Sequence, residues 1–238
     1  MKIFLLIGQS NMAGPGIARY TPEDDERLEG VYLLNGRDEW EAAKNPLNRY
    51  STVKWNPSPG ISPGVTFAEE MKNRYPDEAV GLVSNARGSS KIADWQQGEL
   101  CFNEAVRRAR IACQDGTLAG VLWLQGEQDA IEPDDYGNYA EKLEKLIDSL
   151  RAEFANADLP FIACEIWGDT ALAPAAWRPG IEEVNRQSKE LMMTKANCAW
   201  ISCKGAEHTA EEPVHFAPAG MRLLGKRFAE AYSMRWLS

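Results

Sequence analysis

The chain reads as an α/β protein built on a parallel sheet with helices on both faces, and three observations carry that reading. Short apolar runs of strand length recur along it: "IFLLI" at 3–7, "AVGLVS" at 79–84, "GVLWLQ" at 120–125 and "LPFIACEIW" at 159–167. The segments between them include stretches with apolar residues at three- and four-residue steps, the stripe of a helix lying on a sheet. The two kinds of segment alternate, and strand–helix alternation is the pattern of a parallel sheet covered on both sides.

Taken in order, the first run stops abruptly in "LLIGQSNMAG", residues 5–14, where a buried strand hands Ser10 to a polar turn. Such turns carry reactive groups to the carboxyl edge of an α/β sheet, but a serine there also caps helices. "VYLLNG" at 31–36 predicts a short extended segment, and a helix is expected over 102–113. Tyr136, Tyr139, Leu143, Leu146, Ile147, Leu150 and Phe154 mark another helix, and Met221, Leu224, Phe228 and Tyr232 mark a last one in 219–236. Three stretches, 36–63, 168–180 and 204–218, read as long loops, which in compact domains tend to be functional. With 238 residues and no convincing linker, one domain over 1–238 is expected.

A formal charge of -9 excludes a broad phosphate-binding face, so neither nucleic acid nor an acidic membrane is expected as a partner. "IFLLI" is too short for the core of a signal peptide or for a bilayer span. The five cysteines, Cys101, Cys113, Cys164, Cys198 and Cys203, show no CxxC spacing. They predict a reducing, cytoplasmic compartment, with neither a disulfide framework nor a zinc site.

Each strand end carries polar groups that a core would reject. After the first comes "GQSN" with Gln9, Ser10 and Asn11; after the second, "NARGSS" with Arg87, Gly88 and Ser89; after the third, "QGEQD" with Gln125, Glu127 and Asp129. A parallel sheet brings these ends to one edge. A serine hydroxyl needs an imidazole within hydrogen-bond reach to become a nucleophile. Only His208 and His215 are available, and His215, in a Pro-flanked loop before the last helix, is the better placed. An acyl-transfer oxyanion also needs donors, for which the N–H of Ser10, the N–H of Gly88 and the amide of Gln125 are the candidates.

"GQSNMAG", "NARGSSKIADW", "LWLQGEQDA" and "HFAPAG", in this order and spacing, resemble the SGNH hydrolase superfamily, in particular its sialate O-acetylesterase-like and acetylxylan esterase-like branch, the sixth carbohydrate esterase family. The likeness runs from residue 3 to about 232. It implies a three-layer α/β/α sandwich of flavodoxin-like appearance. It also implies a serine esterase that removes acetyl groups from an acetylated sugar or oligosaccharide without metal or cofactor. By the resemblance Ser10 is the nucleophile, His215 the base, and Gly88 and Gln125 oxyanion donors.

The superfamily places an Asp three residues before the histidine, whereas this chain has Glu212. Glutamate carries the same carboxylate on a longer stem and is assigned the orienting role. A Ser–His dyad, or an acid supplied by Glu127 or Asp129, are the other arrangements open at this point. Glu127 is expected to brace the loop with Arg87 as partner, and Arg87 reaching substrate is the alternative. Trp95, beside the expected site, offers a face for a sugar ring, and Trp40, Trp55 and Trp177 fall in long loops that widen such a surface; Trp123, Trp167 and Trp200 read as core. Two rival functions remain: a lipase or thioesterase of the same superfamily, and a non-catalytic carbohydrate-binding protein of the same fold.

Overall fold

Ile3, Phe4, Leu5, Leu6 and Ile7 are all fully buried, each contributing about 2 kcal/mol by leaving water. A strand apolar on both sides belongs inside a sheet that is covered on both faces. The computed structural model, which describes residues 1–18, 21, 28–54 and 60–236, places it there. The strands are β1 (Lys2–Gly8), β2 (Val31–Leu34), β3 (Trp40–Ala42), β4 (Val80–Ser84), β5 (Thr117–Leu124), β6 (Phe161–Cys164) and β7 (Cys198–Ile201). They form one sheet in the order β3-β2-β4-β1-β5-β6-β7. Every pairing is parallel except β2 with β3.

The helices are α1 (Ser10–Ala13), α2 (Pro63–Arg74), α3 (Leu100–Ala112), α4 (Pro133–Tyr136), α5 (Tyr139–Glu153), α6 (Arg178–Thr194) and α7 (Pro218–Trp236). α2 and α7 cover one face, where Phe4 of β1 meets Phe67 and Tyr232 edge-on, with ring centroids 4.8 and 5.1 Å away. They touch backbone to backbone: a Cβ on Gly225 would lie 2.5 Å from the Pro63 carbonyl oxygen. On the other face Trp123 of β5 packs edge-on against Trp95 at 5.5 Å and donates to the Tyr139 hydroxyl of α5. Arg108 of α3, also buried, donates to the carbonyls of Leu34, Asn35 and Tyr50, tying that helix to the carboxyl end of β2.

Several expectations shift in detail. The segment 36–63 is no simple loop, because it holds the antiparallel edge strand β3 and a 3-10 turn at Leu47–Tyr50. α6 begins inside the stretch read as a loop at 168–180, and β7 is a strand of four residues with no long apolar run to announce it. The helix expected from Tyr136 is divided into α4 and α5. All five thiols are free, and among the described residues no helix is long and apolar enough to cross a membrane.

The topology positions the site. Counted without the added edge strands β2 and β3, the sheet order is second-first-third-fourth-fifth, the doubly wound arrangement whose ligand crevice opens beside the first strand at the carboxyl edge. In this chain that crevice lies where β1 and β5 end side by side. Gly8 makes the junction possible: its φ is +137°, and a Cβ there would fall 2.1 Å from the Leu124 carbonyl oxygen. With no side chain in the way, the N–H of Gln9 bonds that carbonyl at 2.9 Å.

Candidate active site

Ser10 is the first residue of α1, not its cap. Its Oγ lies 3.0 Å from His215 Nε2, and His215 Nδ1 lies 2.8 Å from Glu212 Oε2. A hydroxyl, an imidazole and a carboxylate in one hydrogen-bonded line is the arrangement that lets a serine lose its proton to a base held in the right tautomer. Burial holds the His215 pKa below its usual 6.5, and the Glu212 carboxylate opposes that only in part. The imidazole is therefore neutral at pH 7 and able to accept a proton.

The loop that presents His215 is fastened locally. His215 N–H bonds the Glu212 carbonyl at 2.8 Å, which brings the residue three positions back under the ring. Thr209 N–H bonds the His215 carbonyl at 2.9 Å, and its hydroxyl donates to the Glu212 carbonyl at 2.7 Å. A bridge between His208 and Phe216 closes the base of the loop, with the His208 ring lying on the Phe216 ring at 4.7 Å. His208 is thus a packing ring within this loop, while His215 faces Ser10.

Asn11 joins this loop to the sheet. Its amide nitrogen donates to Glu127 Oε1 at 2.6 Å and to the Val214 carbonyl at 3.0 Å, and its amide oxygen accepts from Phe216 N–H at 3.1 Å. One side chain therefore holds the residues on both sides of His215. Glu127 is buried, and that burial pushes its carboxyl pKa up to about 7 despite the bond from Asn11. Its Oε2 has no hydrogen-bond partner. The expected Arg87–Glu127 pair is not formed at that oxygen; the Arg87 guanidinium acts on the Cys101 thiol.

Gln125 departs from expectation. It is 1% exposed, and its amide nitrogen lies 2.5 Å from Asp129 Oδ2, 2.7 Å from the Ser90 carbonyl and 3.2 Å from Gln9 Oε1. Two N–H bonds facing three acceptors leave nothing to offer an oxyanion. Gln9 Oε1 also accepts from Gly126 N–H at 3.3 Å. Asp129 accepts from Ile92 N–H through both oxygens, and its burial raises its pKa to about 6. Neither Glu127 nor Asp129 is the partner of His215; Glu212 is.

Trp95 is corrected as well. Its indole is completely buried and donates to Ser90 Oγ at 2.9 Å, so it has no face to offer a sugar. Trp40 bonds Asp115 at the amino end of β5, away from Ser10, and Trp55 lies outside the described residues. Trp177 is half-buried and stands against Trp167. Ser89 is exposed with a φ of +55°. Gly88 is half-buried, and a Cβ built on it meets nothing within 4 Å, so space stands open in front of its backbone. The Arg87 N–H bonds the Gly8 carbonyl at 2.9 Å, which holds this turn next to the end of β1. The N–H groups of Ser10 and Gly88 donate to no acceptor among the described residues.

Two members of the buried network escaped the sequence reading. Ser90 supplies a carbonyl to Gln125 and a hydroxyl to Trp95, and Tyr139 donates to the Gln125 carbonyl at 2.7 Å. Tyr139 was legible only as part of a helical stripe, although a phenol inside an apolar face calls for a buried acceptor. Among the described residues no group of three or more His, Cys, Asp or Glu side chains is gathered for a metal ion.

The family model described as "carbohydrate esterase, sialic acid-specific acetylesterase" matches residues 1–234. The chain belongs to this carbohydrate esterase family. It is 27% identical over 246 aligned residues to a probable carbohydrate esterase of Arabidopsis thaliana, covering 97% of this chain and 90% of that one. The crystal structure of that Arabidopsis protein superposes with a TM-score of 0.87 at 26% identity over 99% of this chain and 98% of its own. NanS shares the fold with a TM-score of 0.78 at 16% identity, covering 99% and 97% of the two chains. A carbohydrate acetylesterase from Xanthomonas citri shares it with a TM-score of 0.71 at 19% identity, over 98% of this chain and 56% of that one. For this carbohydrate esterase family the fold is an α/β sandwich on a mostly parallel sheet, and O-acetyl ester hydrolysis is the activity that membership supports.

Proposed function

We propose that the protein is a serine esterase that hydrolyses O-acetyl esters of carbohydrates through an acetyl-enzyme. The observation that carries this reading is the unbroken line from Ser10 Oγ to His215 Nε2 at 3.0 Å and from His215 Nδ1 to Glu212 Oε2 at 2.8 Å, in a chain of a carbohydrate esterase family. His215 takes the Ser10 proton as Oγ attacks the acetyl carbonyl. The oxyanion faces the N–H groups of Ser10 and Gly88, one such donor typically being worth about 10² to 10³ in turnover. His215 then gives the proton to the departing sugar oxygen, and a water molecule, deprotonated by the same imidazole, releases acetate from Ser10. Glu212 accepts a hydrogen bond from Nδ1–H throughout, stays ionised and stabilises the imidazolium.

The open space before Gly88, and a Gln125 amide whose N–H groups are already engaged, support an oxyanion site of two backbone N–H groups without Gln125. The test is acetate release from acetylated xylo-oligosaccharides, acetylated sialic acids and p-nitrophenyl acetate. We expect turnover by the wild type and none above background by Ser10→Ala, with the melting temperature preserved. Undiminished release by Ser10→Ala rejects the reading.

A further inference from the structure

Beside the Glu212 carboxylate a groove of about 460 Å³ opens between residues 212–214 and the segment 172–177. Its walls are apolar, with Trp167, Leu172, Trp177 and Val214 among them, and Glu212 is the one charged residue among the described residues that line it. Leu172 stands 48% exposed at the rim. Trp177 meets Trp167 edge-on, centroids 6.0 Å apart and planes at 78°. Trp167 holds a φ of +54°, a conformation unfavourable for a bulky side chain and concentrated at functional sites. Arg178, next along the chain, turns its guanidinium to the carbonyls of Ala171 and Ala173.

We propose that this groove is the subsite for the leaving alcohol and takes an uncharged sugar unit, the neighbour of the acetylated one in an oligosaccharide. The inference rests on the esterase reading above. An imidazole that protonates the leaving oxygen lies on the alcohol side of the carbonyl, away from the oxyanion donors. Here Nε2 of that imidazole faces Ser10 Oγ and Nδ1 faces Glu212, and the groove opens at Glu212, Pro213 and Val214 of the same loop, one imidazole ring from the reacting oxygen. A neighbouring sugar ring spans that gap; the two carbons of an acetyl group do not. The flat indole of half-buried Trp177, backed by buried Trp167, suits the C–H face of a pyranose. An acidic sugar would instead bring its carboxylate toward Glu212 with no cation among the lining residues to meet it, and an unmatched charge in a partly dry site is unfavourable. The family description names sialic acid; the charge of this groove points to a neutral sugar for this chain.

The test compares wild type, Trp177→Ala, Trp177→Phe and Leu172→Arg on acetylated xylo-oligosaccharides, O-acetylated sialic acid and p-nitrophenyl esters of increasing acyl length. Expected is a wild-type kcat/KM higher on the neutral oligosaccharide than on the sialic acid. Trp177→Ala should raise KM for the oligosaccharide about tenfold, the scale of one lost aromatic contact, with a clearly smaller loss on p-nitrophenyl acetate, and Trp177→Phe should recover much of it. Leu172→Arg should move the preference toward the acidic sugar. Equal losses on both substrates, a wild-type preference for sialic acid, or a Trp177→Ala change in acyl-length preference, which would place the acyl chain in the groove, each overturn the subsite. Failure of the esterase reading is separately visible, as acetate release that survives Ser10→Ala.

Discussion

The half-exposed side of the site and the buried side behind it are built on opposite principles. Glu212 has a side chain 55% exposed and His215 one 16% exposed, and the two side chains are joined by a single bond across a three-residue turn. Behind them Gln9, Asn11, Gln125, Glu127 and Asp129 are all at most 3% exposed; the Asn11–Glu127 and Gln9–Gln125 bonds cross more than a hundred residues of sequence, and Gln125 also bonds Asp129 four positions on. The groups proposed to exchange protons are few and reachable. The groups that hold three strand ends together are many and dry, where hydrogen bonds are strong and an unpaired group is costly. Substitutions on the two sides should therefore differ in kind: the exposed side loses rate, and the buried side loses stability first and rate as a consequence.

Glu212→Gln is the sharpest way to break that contrast. The amide cannot hold the imidazolium as a carboxylate does, so kcat should fall about 10² to 10⁴-fold while the melting temperature stays within a degree or so of wild type. A large loss of stability with little loss of rate, read by thermal melts beside steady-state kinetics, would put Glu212 on the structural side. Asn11→Ala should do both, because it frees the Val214 and Phe216 backbone groups on either side of His215 and strips Glu127 of its donor. We expect about 2 to 4 kcal/mol of destabilisation in urea unfolding and a roughly tenfold fall in kcat with KM little changed.

Glu127→Gln sharpens the comparison through pH. The Glu127 pKa is raised from 4.5 to about 7 in the folded chain, so the folded state binds this proton more tightly than the unfolded one. Its effect on stability is therefore neutral below pH 4.5 and grows unfavourable as pH rises to about 7, by on the order of 3 kcal/mol for a shift of that size. The variant should lose stability less steeply than wild type between pH 4.5 and about 7; parallel stability profiles would show that Glu127 is not so shifted. The mildest expectation concerns the rate. With the His215 pKa held below its usual 6.5 by burial, the acid limb of kcat/KM should have its midpoint below pH 6.5. That limb should persist in Glu127→Gln, because the titrating base lies on the other side of the site.

The contrast also explains what the sequence could reveal. β1, β4 and β5 were legible because unbroken apolar runs have few uses other than a buried strand, and Ser10 and His215 because their loops adjoin such recognisable elements. β7 was not, since "CAWI" has no length or periodicity of its own and becomes a strand only by pairing with β6. Trp95 and Gln125 misled for a related reason. A tryptophan two turns past a strand end and a glutamine at another could face solvent or core, and the choice was made by Ser90, Asp129 and Gln9 from elsewhere in the chain. Local patterns announce where a polar group leaves the sheet; which way it then turns depends on partners that only the assembled fold brings near.

The claim beneath all of this is that Ser10 Oγ is the atom that receives the acetyl group. Rapid acid quench of the enzyme turning over p-nitrophenyl acetate, followed by peptide mass mapping, tests it directly. One added acetyl group is expected on the peptide that carries Ser10, chased away by longer incubation and missing in Ser10→Ala. An acetyl group on another residue that is equally short-lived, or undiminished acetate release with no acetyl group on Ser10, would contradict it.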